Sequence, residues 1–436
     1  MKYLRYISCI FAVLFCFALF TAGCAPAGAA TNIPSDSPSR SASEEGIPAS
    51  VKIGIVNPTT GALAGFGEGT PWTENLIVDY VNNELGGIYF SEYDATLPIE
   101  IVVYDSQSSS TTASEMAQKL VEEDHVDILL ARHTPETVNP VVAVAERYGI
   151  PCISGDEPVD VWLAEGEHEW TYHAHWEMAD LYEMFLGMWD QQGYGVGSGA
   201  KVGFLFPTDA DGILFRDYFS SHLEDDGYII VDPGQFPLGT SDYSDIISTF
   251  KAEDVDILLG ANQTPDFGAF WLQAKQLGFT PDVVTMAKAF LLDADAESIG
   301  NELVNNCCSE VWWSVDRPYA SSLTGMDCDQ FSALYTSETG RPITPPMAVK
   351  HMCMQLAVEA LQKAGSLDPE AIRDALAQVE TETLMGPIRY GENHTCSIPL
   401  TGGQWQLQDD GSVELVIVNN TLYPDVPLTG EMRPLN

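Results

Sequence analysis

Positive charge is scarce in this chain: 19 Lys and Arg stand against 63 Asp and Glu in 436 residues, a net charge of −44. Binding to a phosphate backbone depends on Lys and Arg that neutralise it and release counterions. Nucleic acid is therefore excluded as a partner, and direct adhesion to anionic lipid headgroups goes with it. The acidity reads as solubility in salt or in a crowded extracellular layer. Signatures of catalysis are missing too. There is no G-x-S-x-G, no G-x-x-x-x-G-K and no C-x-x-C. GVGSGA (195–200) spells G-x-G-x-x-A but precedes a strand-like run, whereas a dinucleotide loop must follow one. Four of the eight histidines fall at His133, His168, His173 and His175, and a metal-dependent hydrolase is the sharp reading of such a group. HEWTYH (168–173) spaces its histidines five apart instead of four, which spoils the one-face geometry of H-E-x-x-H, so polar hinge histidines are the preferred account. No catalytic residue, metal or cofactor is implied.

What is present is enough apolar material, 45% of residues, for two or three cored domains. The amino terminus is set apart. Lys2 and Arg5 precede an apolar run from Ile7 to Phe20, the length of a signal-peptide core and too short to span a bilayer comfortably. Thr21-Ala22-Gly23-Cys24 follows, the order of a bacterial lipobox, although an aliphatic residue is usual where Thr21 stands. Residues 1–23 are thus expected to be a lipoprotein leader and Cys24 the lipidated first residue of the mature protein; an ordinary leader cut after Ala30 is the alternative. Residues 24–50 are rich in Ala, Ser and Pro and read as a flexible tether. It would let a domain float roughly 25–30 Å from the membrane. No later stretch approaches about 18 consecutive apolar residues. Cys152, Cys307, Cys308, Cys328, Cys353 and Cys396 remain beyond the leader; an even six permits disulfides outside the cytoplasm without fixing their pairing.

From Val51 onward short β-branched runs alternate with amphipathic segments. VKIGIVN (51–57), IEIVVYD (99–105), VDILL (126–130) and PCIS (151–154) are strand-like, with helical spacing over 72–85, 111–123 and 135–148. After a helix over 177–191 the pattern restarts with KVGFLFP (201–207), YIIVD (228–232) and VDILLG (255–260), and helices over 213–226, 242–252 and 265–278. Such alternation predicts parallel sheets covered on both faces. The repeated VDILL is followed each time by a helix start of one chemistry, Thr134-Pro135-Glu136 and Thr264-Pro265-Asp266, with Thr as N-cap, Pro at the first helical position and an acid complementing the dipole. Two doubly wound lobes of one topology would line a single cleft beyond the carboxyl ends of their strands. The remainder (SEVWWS at 309–314, helices near 327–338, 347–364 and 369–378, then antiparallel strands) completes the two lobes, with the chain crossing between them more than once.

Several segments in order resemble one family. VKIGIVNPTTGALAGFGE is similar to the first strand and T-G-x-L-A-x-x-G loop of the Leu/Ile/Val-binding-protein type of ABC-transporter substrate-binding protein, and the resemblance continues through AVAERYGIPCIS, FWLQAKQLGF and MGPIRYGENH, over about residues 51–420. It implies a type I periplasmic-binding-protein fold in which two lobes on a three-segment hinge close on a small solute. Lobe 1 is expected from 51–172 plus 309–365, and lobe 2 from 173–308 plus 366–436. The implied partners are the solute, an ABC permease and ATPase complex, and a membrane reached by the lipid anchor on the outer side of a bacterial cell, the binding protein itself being a monomer. Signalling to a membrane receptor is the alternative output of the same closure.

The resemblance also places a site. It puts Phe66 and Gly67 at the cleft rim, and Arg132, His133 and Thr134 where the family holds a ligand carboxylate. Ser154 and Asp156 fall where a head group is bound, with Pro158 replacing an expected hydroxyl. In the second lobe Asp211 stands where a tyrosine is frequent, Thr264 near another aromatic, and Lys288 near the acid that usually takes an ammonium. The ligand question then divides. If Arg132 and Lys288 face the cleft, an acid without an ammonium group fits; if Asp156, Glu157 and Asp211 face it, an amino acid or other amine fits. Trp72, Tyr172, Trp176, Trp312 and Trp313 form an aromatic stripe that reads first as packing.

Overall fold

The computed structural model describes residues 46–435; the expected leader, Cys24 and most of the expected tether lie outside them. The first α/β series runs β1 (Val51–Asn57), α1 (Ala64–Gly67), α2 (Thr70–Asp79), a hairpin of β2 (Ile88–Phe90) and β3 (Ala95–Leu97), β4 (Ile99–Asp105), α3 (Ser110–Glu122), β5 (Ile128–Arg132), α4 (Pro135–Tyr148), β6 (Cys152–Gly155), α5 (Val159–Ala164) and β7 (Thr171–Ala174). The second runs α6 (Met178–Gln191), β8 (Lys201–Leu205), α7 (Ala210–Leu223), β9 (Ile229–Val231), α8 (Ser244–Ala252), β10 (Ile257–Ala261), α9 (Thr264–Gln276), β11 (Val283–Ala287), α10 (Asp293–Ile299), α11 (Asn301–Val304) and β12 (Cys308–Val311). The chain ends with α12 (Cys328–Thr339), α13 (Pro345–Ala364), α14 (Pro369–Leu376), a hairpin of β13 (Glu380–Thr383) and β14 (Gly386–Arg389), then β15 (Thr395–Cys396), β16 (Thr401–Leu407) and β17 (Val413–Asn419).

Two sheets result, ordered β15-β7-β6-β5-β1-β4 and β17-β16-β12-β11-β10-β8-β9. The first is parallel throughout; the second is parallel from β9 to β12, with β16 and β17 antiparallel at one edge. The central strands are buried on both faces, which is why Val, Ile and Leu fill them without alternation: Ile53, Ile55, Ile128, Leu130, Ile257 and Leu259 are all 0% exposed. The repeated VDILL has a structural cause. Each copy's Asp, Asp127 or Asp256, accepts a hydrogen bond at 2.8 Å from the backbone N–H of a lysine at the start of the neighbouring strand, Lys52 (second residue of β1) or Lys201 (first of β8). Each copy's Val packs over that strand's glycine so closely that a Cβ on Gly54 or Gly203 would meet Val126 or Val255 at 2.9 Å.

Three crossings join the lobes, after β7, after β12 and between β15 and β16, and they shift the expected division. The boundary at 172/173 falls inside β7. β12 belongs to the second sheet, although 309–365 was assigned to the first lobe. The α13 helix packs on α2, β5 and β6, α14 packs on α13, and β15 pairs with β7, so the last return to lobe 2 comes after Cys396 instead of at 366. A two-residue strand leaves no periodic signal, so the sequence could not report it. The six cysteines among the described residues form no disulfide. No helix among the described residues is long and apolar enough to cross a membrane.

Candidate functional site

Parallel strands end in loops, and the chemistry-bearing residues gather there. Phe66 lies on α1 after β1; Arg132, His133 and Thr134 close β5; Asp156 and Glu157 follow β6; His175 and Trp176 follow β7. From lobe 2 come Asp211 in the first turn of α7, Lys288 after β11, and Glu310 and Trp312 at the end of β12. Open α/β sheets take ligands at this end. Backbone strain concentrates here as well: His133, Thr134, Asp156 and Lys288 have φ of 76, 67, 71 and 71°, a region disfavoured for side chains with a Cβ and held only where contacts impose it. Thr134 N–H donates to the Asp156 carbonyl at 3.2 Å, and Lys288 N–H donates to Glu310 Oε1 at 3.1 Å.

Two buried ion pairs organise the charges. Arg132 holds Asp156 through two guanidinium nitrogens, Nε at 2.7 Å and Nη2, and Nη2 also donates to the Pro346 carbonyl at 2.8 Å; both side chains are 0% exposed. Burial raises the Asp156 carboxyl while Arg132 pulls it back down. In lobe 2 the Lys288 ammonium holds Asp211. Burial opposes the charge on Lys288, but Asp211, Glu136 and Asp209 outweigh it and push its pKa up. Glu136 belongs to lobe 1, so the two lobes interact across the cleft: burial works against its charge, yet Lys288 keeps its carboxyl below the usual range. His133 lies 3.3 Å from Asp156 Oδ2, but burial, Arg132 and Lys350 hold its pKa well below normal, so it is neutral.

Several buried polar atoms in this ring have no hydrogen-bond partner: Arg132 Nη1, both ring nitrogens of His133 and His175, Thr134 Oγ1, Asp156 Oδ1, both carboxylate oxygens of Glu157, and Asp211 Oδ1. Such groups are rare in a folded interior. Open concavities of about 490 and 450 Å³ lie elsewhere, along Glu297–Leu303 and Gln406–Pro434, and neither touches these residues.

The structure therefore brings together Phe66, Arg132, His133, Thr134, Asp156, Asp211 and Lys288. It turns two other candidates away. Ser154 is spent inside the sheet, its hydroxyl 2.8 Å from His173 Nδ1. Thr264 is the first residue of α9, after Gln263 as N-cap, and its hydroxyl supports the Asp295 carboxylate. Thr134 does hold the N-cap position of α4, but its side chain makes no capping bond. His168 and His173 are structural: His173 Nε2 meets the Glu157 carbonyl at 2.9 Å, and His168 stacks on Trp162 at 3.4 Å between ring centroids. No three His, Cys, Asp or Glu side chains converge as metal ligands among the described residues. Glu136 and His175 were not foreseen as site residues. Glu136 reads in sequence as a helix-dipole acid, and only its place in the first turn of α4, within reach of the Lys288 charge, reveals more.

Two parallel-sheet lobes with this strand order define the class of type I periplasmic binding proteins. The chain belongs to the family described as Periplasmic binding protein, which it matches over residues 50–412. The Leu/Ile/Val-binding protein homolog 7 of Brucella suis biovar 1 is 22% identical over 402 residues, 88% of this chain and 94% of the relative. The leucine binding protein LivK of Thermotoga maritima superposes with a TM-score of 0.70 at 18% identity, covering 85% of this chain and 99% of that one. A solute binding protein of an ABC transporter from Rhodopseudomonas palustris, in complex with 3,4-dihydroxy benzoic acid, gives 0.67 at 18% identity, covering 85% and 97%.

Proposed function

We propose that this chain captures a small polar solute, an amino acid or a carboxylate, between its two lobes outside the cytoplasm and delivers it to the permease and ATPase of an ABC importer. The observation that carries this reading is the ring of buried, unpartnered polar atoms at the carboxyl ends of both sheets, Arg132 Nη1, Thr134 Oγ1, the Glu157 carboxyl and Asp211 Oδ1. Groups of that kind cost stability unless something pairs with them. The names of the relatives, binding Leu, Ile and Val or an aromatic acid, support a solute of this size. Lobe 1 holds the solute first and lobe 2 closes over it, bringing Asp211 and Lys288. A lipid on Cys24 would keep the protein at the membrane; Cys24→Ser should then move it to the soluble fraction, and an unchanged distribution would remove the anchor.

Denaturing mass spectrometry of small molecules released from the purified protein, followed by calorimetric titration of each candidate, tests capture. One co-purified solute that rebinds saturably supports the reading. No released solute, and no heat with any amino acid or carboxylate in a broad panel, would sink it.

A further inference from the structure

The charges around the cleft separate the classes of solute that this reading allows. Both cations at the cleft are already answered, Arg132 by Asp156 and Lys288 by Asp211, and the deeper Lys350 is held by Glu74 at 2.9 Å. An anionic solute would find one free nitrogen, Arg132 Nη1, on a guanidinium whose charge Asp156 already balances, and no uncompensated cation. Acids are in surplus. Glu157 is the clearest case: it is 1% exposed, neither of its carboxylate oxygens has a hydrogen-bond partner, and the charges that act on it most strongly are four acids, Asp211, Glu136, Glu165 and Asp156. Its only polar link to β7 is through its backbone carbonyl, which His173 Nε2 meets. Burial first, then those four acids, hold its carboxyl well above the usual range, which favours its protonated form while no cation pairs with it.

An arc of rings runs from one lobe to the other, tied to the loop that carries Glu157 where Val159 N–H donates to the Trp176 carbonyl at 3.0 Å. Phe66 and Trp312 lie near parallel with centroids 6.2 Å apart, Trp312 meets His175 at 5.0 Å, His175 meets Trp176 at 5.5 Å, and Trp176 meets Phe215 at 6.1 Å. Phe215 stands one turn from Asp211 on the same face of α7. His175 is neutral because burial, His173 and Arg132 disfavour its charge. Uncharged aromatic faces attract cations.

We propose that the solute is an organic cation, a primary amine or a basic amino acid, whose ammonium group is taken by Glu157 beside this aromatic arc. The proposal rests on the solute-capture reading above. On binding, the neutral Glu157 carboxyl releases its proton to solvent, and the carboxylate so formed accepts hydrogen bonds from the ammonium. Where the solute also carries a carboxylate, Arg132 Nη1 and the Thr134 hydroxyl are the unpartnered donors available to it.

The test is calorimetric titration of the purified full-length protein at pH 7 with putrescine, L-lysine, L-leucine and 4-hydroxybenzoate, in two buffers of different ionisation enthalpy, repeated with Glu157→Gln. Putrescine or L-lysine should bind at least tenfold more tightly than leucine or 4-hydroxybenzoate, with a heat that differs between buffers by a released proton. Glu157→Gln should lose at least tenfold in that affinity, together with the buffer dependence. Its side chain keeps the same shape, a thermal melt shows whether it folds, and the wild-type ranking stands without it. Tighter binding of leucine or 4-hydroxybenzoate than of either cation overturns the proposal and leaves solute capture intact. Silence with all four probes overturns the proposal, and if no solute co-purifies either, solute capture falls with it. Unchanged cation affinity in folded Glu157→Gln also overturns it.

Discussion

The two lobes share a strand order, yet their ion pairs are built differently. In lobe 1 Arg132 and Asp156 come from the ends of adjacent strands, both are 0% exposed, and the guanidinium also ties the start of α13 to the sheet through the Pro346 carbonyl. In lobe 2 Lys288 reaches past β10 to Asp211 in the first turn of α7, and the two side chains are 15% and 6% exposed. A guanidinium has a planar fork of donors and can hold two partners in fixed directions, whereas an ammonium is a point charge on a flexible stem. The first pair is part of the scaffold. The second is partly exposed and feels Glu136 of the opposite lobe.

This contrast makes the largest predicted effect Asp156→Asn. Leaving Arg132 buried with its main partner gone should cost about 3–5 kcal/mol of unfolding free energy by denaturant titration. Asp211→Asn should cost less, about 1–2 kcal/mol, because Lys288 keeps Glu136 and Asp209 nearby and some contact with water. Equal losses would abolish the distinction between scaffold pair and cleft pair. Glu157→Gln sharpens it through pH. The folded carboxyl is raised, so between the ordinary carboxylate range and its folded value the native state holds a proton that the unfolded chain has lost. Stability then falls by about 1.4 kcal/mol per pH unit across that window. The variant removes this slope, so its melting temperature should gain on the wild type as the pH rises above the ordinary carboxylate range; a constant difference would mean that the folded Glu157 carboxyl is not raised.

The fold was legible in the sequence because buried parallel strands announce themselves as β-branched runs between amphipathic helices. The predicted spans 99–105 and 135–148 coincide with β4 and α4. Shorter elements were hidden: the hairpin of β2 and β3 has three residues in each strand, too few for a period, and β15 is only two residues long; β11 (VVTMA) is as long as β5 and β10 but lacks their unbroken Ile and Leu run. Of the site, the residues immediately after strands could be named, since topology alone brings them to one end. Their partners could not. Arg132 and Lys288 read equally well as ligand-binding cations until the structure showed Asp156 and Asp211 already on them, and a pairing between residues 24 or 77 apart has no local signature. Ser154 misled for the same reason, because its hydroxyl turns sideways to His173 within the sheet.

The smallest effect belongs to Thr134→Ala, and it divides the functions of one residue. Thr134 occupies the N-cap of α4 at φ 67°, a conformation costly for a β-branched side chain, and its hydroxyl makes no capping bond. The customary cap penalty of about 1 kcal/mol should therefore be absent, with stability unchanged to within about 0.5 kcal/mol. Binding should respond according to the solute. For L-lysine, whose carboxylate can take the hydroxyl as a donor, the loss should be about 1 kcal/mol, roughly fivefold in affinity; for putrescine, which has no carboxylate, affinity should not move. Equal losses for both would place the hydroxyl at the amine end of the solute, and a large loss of stability with no loss of binding would make Thr134 a helix cap after all.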